Sequence, residues 1–477
     1  MTDATVQTDD FVSWGEFLGS GYRAALALVC MAVWLHAADS LIVATMLPAI
    51  VSEIGGAGLV GWSVSLYEIA SLVAGAASAL LTMRFGLRLP MALAALCFGF
   101  GCLVSAFAPN MPILLSGRLF QGLGGGGLVA MSFVAISVLF PRRYTARAIA
   151  AVSAFWGISA FLGPLISDVF VEYATWRWGF GFFALQALAL SVWIAMRADQ
   201  SAPRVETQGA FPLRRLGLLC VAVVLVSLGG VEIDLTRTTA LVVLGLASLA
   251  LFLRLDGRAQ GNRLLPRAPL DIRTPVGASM LMLLSLALAT VAITAFGPLL
   301  MVAIHGTSAL VAGYVIACSS IGWTFSAVLF SGSPERLDRL MIAIGVAMIG
   351  ASVIGFVYAV ASGPIWLIAA FAGLEGAGFG LAWTFILRRT TALAPADEVQ
   401  RISGAIPTVQ RLGYALGAAY IGIVANSIGF AEMDSAEAAA RVARGVFAAC
   451  LPFAALGILG MAGLVRTDPV LDGVKPA

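Results

Sequence analysis

Between Arg273 and His305 the chain carries no charged side chain. Apolar runs of this length recur along the sequence, and they restrict the fold more than any other feature. A helix of roughly 17–25 mostly apolar residues crosses a bilayer. In lipid every backbone polar group must be satisfied within the structure, so such runs must be helical. Fourteen runs fit: 24–50, 59–83, 88–108, 112–139, 145–170, 178–197, 215–232, 238–255, 275–303, 307–331, 339–360, 364–388, 402–428 and 443–465. The seventh and eighth are the shortest. Composition agrees, with 60% hydrophobic and 11% charged residues, where soluble domains run at about 45–50% and about 25%. Apolar surface on that scale must face lipid. The expected fold class is all-α integral membrane.

The arginines test the count. Positive charge collects on the cytoplasmic side of membrane proteins. With the N-terminus placed inside and the spans alternating, the inside segments hold 22 of the 28 basic residues. The outside segments hold Arg177, Arg237, Arg441 and Arg444, and Arg118 and Arg411 remain within spans. One missed span would scramble this pattern. The expectation is a bacterial inner-membrane protein with both termini cytoplasmic. The first residues, "MTDATVQTDD", are acidic and lack the positive start of a secretory signal. Phe11, Trp14, Phe17 and Leu18 recur at helical spacing, which predicts a short amphipathic helix on the cytoplasmic surface.

Several chemistries are closed by residue type. The chain has a single lysine, Lys475, outside any glycine loop, so a phosphate-cradling P-loop cannot be written. His36 and His305 are the only histidines, too far apart for a paired-histidine metal motif. The six cysteines all lie in apolar runs without a CxxC pair, and read as small buried hydrophobes. No metal, cofactor or nucleic-acid partner is expected.

The sequence also repeats itself. "FQGLGGGG" from Phe120 aligns with "FAGLEGAG" from Phe371, pairing Gly122 with Gly373, Leu123 with Leu374, Gly125 with Gly376 and Gly127 with Gly378. "AIAAV" from Ala148 aligns with "AIPTV" from Ala405, and Pro48 answers Pro298. Two six-helix halves follow, with spans 7 and 8 inserted between them. Halves related by an axis along the membrane normal describe a class of secondary transporter. The expected division is a tail over 1–23, a first bundle over 24–197, a linker with two inserted helices over 198–274, a second bundle over 275–465 and a tail over 466–477.

The stretch "RLFQGLGGGG" from Arg118 joins one of the costliest residues to bury in a bilayer to a run of poor helix formers. It resembles the Arg-x-x-Gln-Gly-x-Gly signature in the fourth span of major facilitator superfamily transporters, with Arg118, Gln121, Gly122 and Gly124 matching. "ADSLIVATMLPAI" from Ala38 is similar to the first span of the fourteen-span drug:proton antiporters, with Asp39 and Pro48 in place. "WSVSLYEIA" from Trp62 keeps the family's Trp and Tyr, and "ATWRWGF" from Ala174 its Trp-Arg-Trp. "FLGPLISD" from Phe161 resembles the antiporter motif at Gly163 and Pro164, with Ser167 and Asp168 where glycines are expected. The loop "ALLTMRFGLR" keeps Arg84 and Gly86 of the family's gating loop, with Met83 in place of its Asp. Arg88 stands one residue beyond Leu87, which fills the place of the closing arginine. The resemblance implies a major facilitator fold of fourteen helices and proton-coupled antiport of drug-like compounds, with lipid, protons and a small-molecule substrate as partners and the chain acting as a monomer.

A proton-driven carrier needs a titratable group in the membrane, and intramembrane carboxylates are the default candidates. Asp39 and Glu68 lead, joined by Arg118 and by His36, which lies three residues before Asp39 on the same helix face. A His–Asp pair that merely holds span 1 is the alternative. Glu375 is the candidate for a cationic substrate, with Arg411 a possible partner. Trp156, Trp323 and Trp383, with Phe325 and Phe385, are candidate cavity liners. Asp168 and Glu172 sit near the outer face and are expected to be solvated. The competing function is a dedicated exporter of a lipid, siderophore or metabolite. A membrane enzyme would want clustered His, Cys or acid ligands, and a channel would favour filter loops or charge rings.

Overall fold

The structure is a computed structural model and describes residues 14–197, 212–259, 263–330, 333, 335–395 and 398–466. Sixteen α-helices follow one another there: α1 (Trp14–Gly19), α2 (Arg23–Ile54), α3 (Val60–Phe85), α4 (Arg88–Ala106), α5 (Met111–Leu139), α6 (Arg142–Tyr173), α7 (Trp176–Arg197), α8 (Leu213–Leu228), α9 (Leu235–Arg258), α10 (Pro275–His305), α11 (Ala309–Phe330), α12 (Asp338–Ser362), α13 (Ile365–Ala392), α14 (Val399–Ser427), α15 (Ala436–Ala448) and α16 (Leu451–Arg466). No strand occurs among the described residues. The all-α expectation holds.

Twelve spans among the described residues are long and apolar enough to cross a membrane, the last being α15 and α16 together, Ala436–Arg466. The count of fourteen is not reached by that measure. Besides the six-residue α1, the helices outside it are α8 and α14. The first has only 16 residues. The second is 29 residues long but spends part of its length on Arg411 and Asn426, which bond to other parts of the protein, and on Gln410, which bonds to Tyr414 of the same helix. The expected span 443–465 also proves to be two helices that meet at Ala449 and Cys450.

Two hydrophobic clusters organise the chain. One joins residues of α1 to α7, with Phe98, Phe180 and Phe183 at its centre. The other draws mainly on α8 to α16, around Phe296, Phe356, Phe385 and Phe447, and takes in Val60, Ile69 and Leu72 from α3. Lipid gives helices no hydrophobic reason to associate, so small residues that let backbones approach become the main packing device. The glycine run of α5 does this on several sides. A Cβ at Gly122 or Gly126 would strike the α3 backbone at Tyr67 or Ser71, and one at Gly124 would strike α4 at Ala94 and Phe98.

We call the end of the bundle where α2 begins the near end, and the opposite end the far end. At the far end the two halves meet closely along both seams. On the α3–α14 seam Ser65 Oγ lies 3.2 Å from Ala415 O, and Gly61 faces Ala418 O. On the α6–α11 seam Gly313 sits against Thr45 and Pro164, and the Phe161 and Tyr314 rings lie 6.0 Å apart. α6 continues through Gly163–Pro164 without a break. At the near end the short α1 seats Phe17 against Phe140 and Tyr144, so the predicted amphipathic helix packs on protein. Phe11, Arg204, Lys475 and the two terminal tails lie outside the described residues, apart from 14–23 and Arg466.

Candidate functional site

Four helices bring charge to the middle of the bundle. α2 presents His36 and Asp39 one turn apart, α3 presents Tyr67, Glu68 and Ser71, α5 presents Arg118 and Gln121, and α14 presents Arg411. All four predicted proton-coupling residues, His36, Asp39, Glu68 and Arg118, belong to this one constellation.

Arg118 is almost fully enclosed, with 3% of its side chain exposed against 1% for Asp39. Its Nη1 donates to Asp39 Oδ2 at 2.5 Å and also to Gln121 Oε1. Nε reaches Ser63 O at 3.5 Å. The guanidinium lies 4.3 Å from the Tyr67 ring centroid, a geometry in which the ring face attracts the cation. Gln121 in turn donates to Ser105 Oγ at 3.1 Å. The arginine that looked expensive in sequence is thus surrounded by acceptors, as a buried charge must be.

Arg411 forms a second centre and spans the two halves. Its Nη1 donates to Ser71 Oγ at 2.7 Å and to Glu68 Oε2 at 3.3 Å. Its Nη2 lies 3.4 Å from His36 Nε2. A guanidinium only donates, so Nε2 accepts there and a neutral imidazole carries its proton on Nδ1. Nδ1 is 2.7 Å from the Tyr67 hydroxyl. Tyr67 therefore touches both centres, and the Trp156 ring meets His36 edge-on at 5.8 Å. Arg411 was named as a possible partner of Glu375. It lies beside Glu68 instead, because the register between α14 and α3 sets its partner.

Glu375 is isolated. It is 5% exposed, and its Oε2 has no hydrogen-bond partner. Trp323 of α11 and Trp383 of α13 lie 5.8 Å apart, with Phe379 stacked on Trp323 at 5.6 Å. Phe325 is 71% exposed, whereas Phe385 is buried. Asp168 is half-buried and Glu172 exposed.

The gating-loop residues lie at the near end. Gly86 has φ +76°, a left-handed conformation that favours glycine. Arg84 lies over Phe85 at 5.5 Å, and Arg88 donates to Ala195 O. Gly163 packs against Leu41 of α2. The side chain of Met83 lies outside the described residues. In the other half the matching loop keeps a carboxylate: Asp338 pairs with Arg388, whose Nε is 3.1 Å from Oδ2. No cluster of three or more potential metal ligands occurs among the described residues.

Sequence reasoning missed Tyr67, Ser71 and Ser105. Tyr67 stands in the quoted "WSVSLYEIA" directly before Glu68. The two serines carried no signal, since hydroxyls in apolar helices usually bond to the preceding turn.

This helical bundle with charge buried between its halves defines a membrane transporter. Its fold resembles a POT family transporter solved with 5-aminolevulinic acid, at TM-score 0.67 and 13% identity over 93% of this chain and 97% of that one. It also resembles a bacterial homologue of the human lysosomal transporter Spinster in an inward-facing, unoccupied conformation, at TM-score 0.65 and 14% identity over 94% and 99%. The profile of the Major Facilitator Superfamily matches residues 29–418, and the chain belongs to that family. A Mycobacterium tuberculosis protein named "Probable multidrug-efflux transporter" is 28% identical over 475 residues, 96% of this chain and 97% of the relative. Azole resistance protein 1 of Saccharomyces cerevisiae is 29% identical over 180 residues, 37% of this chain and 29% of its own. The family is one of transporters, as the mycobacterial relative's name also says, and the chain is a multi-pass membrane protein that carries small molecules.

Proposed function

We propose that the chain exports small amphiphilic or drug-like compounds in exchange for protons, by alternating access. It would work as a monomer in the bacterial inner membrane with both termini, and so the near end, in the cytoplasm. The observation that carries this reading is the Arg411–Glu68 pair, a charged contact across the seam between the halves.

The charges of the centre balance as two pairs, Asp39 with Arg118 and Glu68 with Arg411. A proton on Glu68 leaves Arg411 without its counter-ion. Losing the counter-ion is unfavourable even where water partly reaches the pair, as it does here, with side chains 23% and 17% exposed. Arg411 must then find water or another acceptor, and the α3–α14 contact loosens. Asp39 is the deeper site, since its proton would free an arginine with almost no access to water. His36 and Tyr67 join the two centres, His36 through the Arg411 guanidinium and the Tyr67 hydroxyl, and Tyr67 through its ring face on Arg118. Glu375, with an unsatisfied oxygen, supports a place for the cationic group of a substrate, and Trp323 and Trp383 a place for its apolar body.

Ethidium efflux from an efflux-deficient bacterium tests the reading. Asp39→Asn, Glu68→Gln and an uncoupler should each lower efflux at least about tenfold, the scale of a lost charged hydrogen bond. Undiminished efflux in both variants would remove proton coupling from this centre. No efflux from well-folded protein would favour export of a specific lipid, siderophore or metabolite.

A further inference from the structure

We infer that the inserted helices α8 and α9 move as part of the C-terminal half, and that the far-end loop between them completes a latch which holds that half to the N-terminal half. The inference rests on the alternating-access reading above, and nothing in that reading requires it.

The near end of the hairpin is locked together and then to α14. Asp256 of α9 accepts from Arg215 of α8 at 2.5 Å and from the backbone N–H groups of Leu264 and Leu265 at 2.9 Å. Both side chains of the pair are buried. One carboxylate thus joins α8, α9 and the chain that follows. Arg263 and Arg267 on that chain meet Glu398, at the start of α14, at 3.5 and 3.3 Å. Between these points Leu216, Leu219, Phe252 and Leu265 face Val409 and Leu412 of α14 across a small apolar cavity.

The far end is built differently. Asn426 of α14 donates from Nδ2 to Gly230 O in the hairpin loop and to Gly58 O in the loop between α2 and α3, both at 2.7 Å. Trp62 of α3 donates from Nε1 to Ser227 O of α8 at 3.2 Å. Gly230 packs on the Ile423 backbone, where a Cβ would not fit. One amide therefore ties together the C-terminal half, the hairpin and the N-terminal half. The contacts to α14 include buried charge and continue over the hairpin's length. The contacts to the N-terminal half are the packing of α8 on α3 and neutral hydrogen bonds, each of those bonds worth about one-tenth to one-half of a buried ion pair on removal. When the halves part at the far end, the bonds to Gly58 and from Trp62 are the ones that can break.

Reversible cross-linking tests this in the full chain. Cysteines at Trp62→Cys with Ser227→Cys join the hairpin to the N-terminal half. Cysteines at Arg263→Cys with Glu398→Cys join it to the C-terminal half. With a cleavable bifunctional thiol reagent, the first pair should abolish transport until reductant is added, and the second should leave at least half of it. Tolerance of the first cross-link, or an equal block by the second, overturns the inference. The parent chain under the same reagent controls for its own cysteines. A second measurement does not depend on transport. Asn426→Ala should raise labelling of Ser65→Cys by an impermeant maleimide about fivefold, the population shift that one lost hydrogen bond allows. Unchanged labelling counts against the latch even if transport itself proves to be uncoupled from protons.

Discussion

α5 and α13 occupy matching places in the two halves and share a glycine pattern, yet they treat charge in opposite ways. In α5 the charge is Arg118, held by Asp39, Gln121 and Ser63 O, with the Tyr67 ring over it. In α13 it is Glu375, whose Oε2 meets nothing. Aligned through their glycines, Glu375 falls opposite Gly124, a position packed against the α4 backbone. The N-terminal half has used its repeat to build a closed ion-pair network. The C-terminal half leaves one buried carboxyl oxygen without a hydrogen-bond partner. Similar glycine packing thus accommodates a closed ion-pair network on one side and an unsatisfied carboxyl oxygen on the other.

The contrast can be broken most forcefully at Arg118. Arg118→Met keeps the length and removes the charge, leaving Asp39 buried alone. Loss of one partner from a buried pair costs roughly 3–5 kcal/mol, so detergent-extracted protein should show a large drop in thermal midpoint or fail to accumulate. Adding Asp39→Asn should recover most of that loss. A double variant as unstable as the single one would mean that packing, and not charge, sets the site. Arg411→Met should be milder, about 1 kcal/mol, because that pair has 23% and 17% of its side chains exposed and water screens it.

Gly122→Ala comes next. Its Cβ would crowd Tyr67 O and lie 2.8 Å from Ala70 Cβ, and a carbonyl in mid-helix cannot step aside. Overpacking of this kind costs about 1–3 kcal/mol, readable as a shift in thermal midpoint with the monodisperse peak retained.

Much of this contrast was legible in the sequence, and the rest was hidden for definite reasons. Apolar run length located most of the long helices, because a bilayer fixes that length, but it read α15 and α16 as one span and counted fourteen where twelve qualify among the described residues. The charges within spans marked His36, Asp39, Glu68 and Arg118 as one group, since lipid forbids them to stand alone. The partner of Arg411 was hidden. It depends on how α14 slides along α3, which is set by Gly61 against Ala418 and by Ser65 against Ala415, contacts between residues more than three hundred positions apart. The apparent weakness of α14 as a span has the same origin. Its polar residues serve the other half and the hairpin, and so dilute the apolar signal that identifies a helix in lipid.

Gly373 offers the finest test, because it is the aligned counterpart of Gly122. A Cβ there would have as its nearest neighbour only Cys318 O, at 3.8 Å, an ordinary contact. Gly373→Ala should change stability by no more than about 0.5 kcal/mol, the range of substitutions that disturb no packing, and alanine's better helix propensity pulls slightly in its favour. A neutral result beside a damaging Gly122→Ala would separate glycines kept for close packing from those that merely persist in the repeat. A loss as large as that of Gly122→Ala would require α11 and α13 to approach more closely at some stage of the cycle than they do here, since the space for a methyl group is present in this state.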